Sequence, residues 1–197
     1  MTSGLSTLRR HPTAALLTAA GTLTAIATFD LAANPAHQGA LHTYKEYVLT
    51  ATLIPATFVV LWVLAALQAL GSAPNDRYGR NGLRVAAVGV VALVIDGVVT
   101  LASGTTDTTG PLYPIAIIAT LIGVVLMAIE WHRAGVLPRW TGPTLAIGWF
   151  LGASPILGSG AAFLILAAAF LAIAFGLRRQ TAAQPEAPVR LSSSIPA

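Results

Sequence analysis

Residues 85–103 read VAAVGVVALVIDGVVTLAS and contain a single charged side chain, Asp96. An α-helix needs about 20 apolar residues to cross roughly 30 Å of hydrocarbon, so this stretch is typical of a transmembrane helix. The whole chain agrees, since 55% of its 197 residues are hydrophobic and only 9% are charged. A soluble domain carries about 25% charged residues. An ordinary water-soluble fold is therefore excluded, and we expect a lipid bilayer to surround the chain.

Five further apolar stretches predict an all-α bundle of six transmembrane helices. The predicted spans are residues 13–33, 47–70, 85–103, 112–131, 142–157 and 160–177. The last two are short and are joined at Leu157–Gly160, so a single interrupted helix is the alternative. The first could instead be a cleaved signal peptide, because Arg9 and Arg10 precede its apolar run, and five spans would then remain.

The distribution of charge favours six spans with the N- and C-termini in the cytoplasm. In that topology the inner segments collect ten arginines, whereas Lys45 alone is left outside; the ten are Arg9, Arg10, Arg77, Arg80, Arg84, Arg133, Arg139, Arg178, Arg179 and Arg190. The net charge of +4 then reflects retention of basic loops in the cytoplasm and attraction to anionic lipid, and no nucleic acid is expected as a partner. Residues 1–180 form one domain in this interpretation, and the Pro- and Ser-rich residues 181–197 form a disordered cytoplasmic tail.

Asp96 is the strongest candidate for a functional side chain, because it lies about 10 Å of helix rise from the outer end of its span. A carboxyl at such a depth costs about 2.5–3.5 kcal/mol on insertion scales, so it should face protein or a wet cavity. Thr100 follows at helical spacing, and Asp30 lies near the outer end of the first span. The two acids would share a proton if the first and third spans touched. A polar cavity in the outer half of the bundle is the prediction, and interhelical packing through a protonated Asp96 is the alternative.

The outer loop between the first two spans carries three further candidates for a ligand or proton site, His42, Lys45 and Glu46. His42 and Glu46 stand four residues apart and would share one helix face if the second span began early, with His37 as a third ligand. A solvated rim is the alternative. No His-Glu-x-x-His pattern supports zinc, so no metal and no cofactor is predicted. The chain has no cysteine, which excludes disulfides and thiolate sites.

Residues 130–140 read EWHRAGVLPRW and precede an apolar hairpin that ends at Arg178 and Arg179. Over residues 130–179 this pattern resembles the last third of a class of small bacterial polytopic membrane proteins of unassigned function. The resemblance implies a multi-pass protein of the bacterial cytoplasmic membrane. It carries over no catalytic residue.

Three functions follow from these features. The first is binding or transport of a small or lipid-like ligand at the cavity around Asp96, with a change in its protonation. The second is a non-enzymatic accessory subunit that docks onto a larger membrane complex. The third is an intramembrane enzyme acting on a lipid or isoprenoid, with Asp96 as general acid and His42 or Glu46 as its complement. No Gly-x-Ser-x-Gly nucleophile elbow is present, so nucleophilic catalysis has no support. The enzyme hypothesis ranks last of the three, because no second acid lies deep enough in a span to act with Asp96.

Overall fold

The computed structural model describes residues 12–33, 41–71, 77–135, 137–152 and 159–183, and every regular element within these ranges is an α-helix. Six helices follow one another: α1 (Pro12–Ala33), α2 (Tyr44–Gly71), α3 (Arg77–Ser103), α4 (Leu112–Ala134), α5 (Thr141–Gly152) and α6 (Ser159–Ala183). The prediction of an all-α chain is confirmed for this part of the sequence.

Five of these helices, all except α5, are long and apolar enough to cross a membrane. This agrees with the bilayer environment and the multi-pass architecture expected from the composition. Helix α5 has 12 residues, a rise of about 18 Å, which is less than the roughly 30 Å of a hydrocarbon core. The predicted fifth span is thus helical to Gly152, and its residues 153–157 lie outside the described residues.

The chemistry of particular residues explains where individual helices begin and end. Pro12 is the first residue of α1, a position where its missing N–H is not needed. Gly135 ends α4 in the left-handed conformation, with φ of 64°, and its N–H donates to the Trp131 carbonyl. At the end of the chain, α6 extends to Ala183, which is three residues into the predicted tail 181–197. Residues 184–197 of that tail lie outside the described residues.

The helices are arranged as a ring in which each packs against its neighbours in sequence, and α1 packs against α6 to close it. Helix α2 also contacts α4 across the ring. The interior is filled by large apolar side chains that the chain buries completely or nearly so, among them Leu16, Val63, Leu67, Trp131, Phe170 and Ile173. Sequence neighbours are therefore spatial neighbours, and α1 and α3 lie on opposite sides of α2.

Helices α5 and α6 form an antiparallel pair. A Cβ built on Gly148 would lie 2.7 Å from Ala169 Cβ, and one built on Gly152 would lie 2.8 Å from Leu166 Cβ. At the other end of the pair, Gly176 faces the ring of Trp140. These contacts run in opposite directions along the two helices, so α5 and α6 are two helices of a hairpin and not one interrupted helix.

The most extensive helix pair is α3 with α4. A Cβ built on Gly82 would lie 2.7 Å from the Gly123 carbonyl oxygen, and one built on Gly123 would lie 2.5 Å from the Ala86 nitrogen. Seven residues further along α3, Gly89 meets Ala116 and Thr120 in the same way. Small residues let the two backbones touch, as is common between membrane helices. We call this line of contact the α3–α4 seam.

The antiparallel packing sorts the charged residues to the two ends of the bundle. One end, called the arginine end, carries all the described arginines: Arg77, Arg80, Arg84, Arg133, Arg139, Arg178 and Arg179. The other, called the acidic end, carries Lys45 and four of the five described acids: Asp30, Glu46, Asp96 and Asp107. Glu130 is the described acid at the arginine end.

Candidate functional site

Asp96 lies on the α3–α4 seam, at the point where α4 begins. Gly82 is level with Gly123 and Met127, and Gly89 is level with Ala116 and Thr120. A further seven residues along α3 bring the seam to Asp96, and the same step along α4 leads to residues 109–113. The carboxyl therefore lies at the end of the close contact between α3 and α4, beside the loop of residues 104–111 that connects them. We call these residues the α3–α4 loop.

The loop supplies a hydrogen-bond donor at this level. The hydroxyl of Thr109 donates to Oδ1 of Asp96. Tyr113, at the second position of α4, lies close enough to Asp96 for the two groups to interact electrostatically. The hydrogen bond to Asp96 thus comes from the segment that leads into α4.

The α3–α4 loop folds back along the last two turns of α3. Glycines with positive φ turn the chain at Gly104 (70°) and Gly110 (55°). Between them, the Thr108 hydroxyl donates to Ser103 Oγ at 2.9 Å, and Ser103 Oγ donates to the Thr105 carbonyl at 3.1 Å. The segment from Gly97 to Ser103 extends about 10 Å beyond Asp96, so this hydroxyl-rich loop fills the space above the start of α4.

Contacts with the neighbouring helix α2 show how far along the bundle this loop lies. A Cβ on Gly97 would lie 3.1 Å from Ile54 Cγ1, and one on Gly104 would lie 3.0 Å from the Tyr47 hydroxyl. The loop therefore lies beside residues 47–54 of α2, which belong to the predicted second span. A polar, irregular segment at this height is tolerated where it is covered by protein or borders water.

Asp96 is half-buried and in this respect differs from the polar side chains that are in contact in the bundle interior. In that contact the Trp131 indole donates to Gln68 Oε1 at 3.1 Å, and the two side chains are 2% and 5% exposed. The Gln68–Trp131 pair joins α2 to α4 in the manner of interhelical packing. Asp96 is less enclosed than either partner. Thr100, one turn further along α3, is buried at 4% exposure.

The structure places Asp30 in a different part of the acidic end. Its side chain is 3% exposed and packs against the first turn of α6, where a Cβ on Gly160 would lie 3.0 Å from Oδ2. Helix α2 separates α1 from α3, so the structure does not bring Asp30 and Asp96 together by packing their helices.

His42, Lys45 and Glu46 lie at the turn that leads into α2. Oε2 of Glu46 accepts hydrogen bonds from the backbone N–H groups of His42 at 2.5 Å and Thr43 at 2.8 Å. This is the capping-box arrangement, in which a glutamate three residues after the cap satisfies N–H groups at the helix start. Lys45 Nζ donates to the Ala33 carbonyl at 3.3 Å and so joins the end of α1 to α2.

Glu46 and His42 were predicted to share a helix face as a ligand pair. In the structure they are in contact, but the contact joins the Glu46 carboxylate to the backbone N–H of His42. Glu46 is 4% exposed and bonds the backbone of His42, whose side chain is exposed. In the part of the chain that the structure describes, no three His, Asp or Glu side chains are grouped to hold a metal ion. His37 lies outside the described residues.

Sequence reasoning missed Thr109 and Tyr113 as neighbours of Asp96. The signal that finds them is the pairing of Gly82, Gly89 and Gly123 in an antiparallel hairpin, because it fixes which residues of α4 stand opposite each turn of α3. Asp107, in the same loop, is exposed.

Comparison of this chain with protein-family models, with curated proteins and with solved structures finds no match in any of the three.

Proposed function

We propose that this chain is a six-crossing protein of the bacterial cytoplasmic membrane with its arginine end in the cytoplasm. Support comes from the charge difference between the ends, because basic residues are retained on the cytoplasmic side. The sixth crossing is supported by α5, which runs antiparallel to both α4 and α6: Gly142 faces Ala128 of α4, and the indole of Trp149 donates to the Ile117 carbonyl at 3.3 Å. The resemblance of residues 130–179 to small bacterial polytopic proteins fits the same location.

The absence of natural cysteine allows this topology to be tested with single introduced cysteines. Thr108→Cys and Arg179→Cys place a thiol at exposed positions of opposite ends. A membrane-impermeant maleimide should label the Thr108→Cys variant in intact cells and the Arg179→Cys variant only in inside-out vesicles. Labelling of both variants from the same side would contradict the proposed topology.

At the acidic end, we propose that Asp96 binds a small or lipid-like ligand and changes its protonation when that ligand binds. The carrying observation is the position of the carboxyl, half-buried on the α3–α4 seam and bonded to Thr109 from a loop of hydroxyl side chains. A group that served packing alone would be expected to resemble Gln68, which is enclosed in the interior. In this proposal the loop borders a polar recess that water enters from the acidic end.

Infrared difference spectroscopy of reconstituted protein tests the protonation step. One protonated-carboxyl band should shift in deuterated water within the mixing time because water reaches the site. Asp96→Asn should lack the band. Asp107→Asn, which changes an exposed acid of the same loop, should retain it. A band that does not shift in deuterated water would show a dry carboxyl and overturn the proposal.

Mass spectrometry of small molecules and lipids that copurify with the protein tests the ligand. The wild type and Asp107→Asn should retain a compound that Asp96→Asn loses. Identical sets of bound compounds in all three proteins would contradict ligand binding at Asp96, whatever the infrared result.

A further inference from the structure

The outward face of α3 changes character along its length. Four β-branched side chains, Val88, Val91, Ile95 and Val98, are exposed at spacings of three and four residues. Towards the arginine end the same spacing continues through the exposed side chains of Arg84, Asn81 and Arg77. We call this line of residues the outward stripe of α3. It is aliphatic over three turns and then basic.

Helix α4 presents a parallel surface beside this stripe. Its exposed aliphatic residues are Ile115, Ile118, Ile122, Val125 and Ile129, and they are followed by the exposed His132 and Arg133. Only 22% of the most apolar stretch of α3 is buried inside the protein. In a membrane-spanning bundle, lipid acyl chains therefore cover the aliphatic part of both helices.

The position of Arg84 is not explained by the retention of basic residues at the membrane surface alone. The seam places it beside Gly123, because a Cβ on Gly123 would lie 2.5 Å from both the Gly82 oxygen and the Ala86 nitrogen. At that height the outward residues of α4 are Ile122 and Val125. Arg84 also lies about 10 Å along the helix from Arg77. A guanidinium beside aliphatic side chains must extend to the headgroup region or meet an anion.

Two further observations concern the basic end of this hairpin. Arginines in the first turns of α3 do not stabilise the helix itself, since the N-terminus of a helix carries partial positive charge. The guanidinium of Arg133 stacks over the Tyr78 ring, 4.8 Å from its centroid. This contact holds a basic group of α4 against the start of α3 and concentrates positive charge there.

We propose that the outward stripe binds an anionic phospholipid of the leaflet at the arginine end, with its phosphate on Arg84 and its acyl chains along Val88 and Val91. Arg80 and Arg77 lie one and two turns away and add to the attraction. Guanidinium groups bind phosphate oxygens through charge-assisted, often paired hydrogen bonds. An aliphatic surface that continues directly from the basic residues fits a ligand with both a phosphate and hydrocarbon chains, and not a free anion.

The test uses the full-length protein in a neutral detergent, titrated with dioleoyl phosphatidylglycerol, with bound lipid counted by native mass spectrometry. Arg84→Gln should weaken binding about fivefold, the loss expected for one basic residue at an anionic lipid surface. Arg77→Gln should weaken it in the same direction. Arg179→Gln removes the same charge from the end of α6 and should leave binding unchanged.

Folding of each variant is checked by its thermal unfolding in dioleoyl phosphatidylcholine, which should match the wild type. Arg77 lies at the first position of α3, so its replacement keeps the test decisive if Arg84→Gln fails to fold. Equal losses in Arg77→Gln, Arg84→Gln and Arg179→Gln would mean diffuse attraction to a charged end and would overturn the site. Displacement of the lipid by inorganic phosphate at equal concentration would overturn the assignment of a lipid as the occupant.

Discussion

Replacing Gly123 by alanine should separate α3 from α4. The added Cβ would lie 2.5 Å from the Ala86 nitrogen and 2.5 Å from the Gly82 oxygen, nearly 1 Å inside ordinary van der Waals contact. Both are backbone atoms of a helix, so no side-chain rotation relieves the overlap and the helices must move apart. Overpacking of this kind costs about 1–3 kcal/mol. Alanine regains up to about 1 kcal/mol of helix propensity, which leaves a net destabilisation of up to about 2 kcal/mol.

Gly21 provides the matched control for the same substitution. It lies in α1, and a Cβ built there meets nothing within 4 Å, so Gly21→Ala should stabilise the protein by up to about 1 kcal/mol. Unfolding of both variants in detergent can be followed by tryptophan fluorescence, since the chain has 4 tryptophans. The same replacement of glycine by alanine should therefore lower the free energy of unfolding at Gly123 and raise it at Gly21. If Gly123→Ala were as stable as Gly21→Ala, the close contact of α3 with α4 would be refuted.

Three further experiments test individual hydrogen bonds. Thr109→Val removes the hydroxyl that donates to Asp96, so the infrared carbonyl band of protonated Asp96 should move to higher frequency, whereas Thr109→Ser should preserve it. Glu46→Ala leaves the N–H groups of His42 and Thr43 without their carboxylate acceptor and should lower the free energy of unfolding by about 1 kcal/mol, with Glu46→Gln retaining part of the cap; an unchanged unfolding midpoint would contradict the capping role. A double-mutant cycle of Gln68→Leu with Trp131→Phe should give a coupling of about 0.6–1.7 kcal/mol, and strictly additive effects would show that the 3.1 Å contact does not stabilise the fold.

The apolar runs predicted the helices well because the bilayer requires long, uninterrupted helical segments. Residues 112–131 became α4 (Leu112–Ala134), with its end set by Gly135 as glycine chemistry leads one to expect. The starts were less predictable. Helix α3 begins at Arg77, eight residues before the apolar run at Val85, because a hydropathy pattern marks only the apolar part of a helix and not its polar first turns.

The candidate site was predictable in part. The position of Asp96 inside α3 followed from the apolar run around it, because that run predicted the helix. Its partners did not follow, because a loop of threonines gives no periodic signal and the register between two helices depends on their contact. The capping role of Glu46 was not predicted, although Thr43 and Glu46 have the capping-box spacing in the sequence.

In the proposed topology, the charged residues on the two faces of α3 would restrain the depth of this helix in the membrane. On the seam, Asp96 lies towards the acidic end, and on the outward stripe, Arg84 lies towards the arginine end. Movement of the helix towards either membrane surface would carry one of the two charges deeper into hydrocarbon, at a cost of about 2.5–3.5 kcal/mol for a group that reaches the centre. Protonation of Asp96 lowers that cost on one side only. Ligand binding that changes the charge of Asp96 would therefore also change the force on α3, and Arg84 with its lipid would be the remaining restraint on its depth.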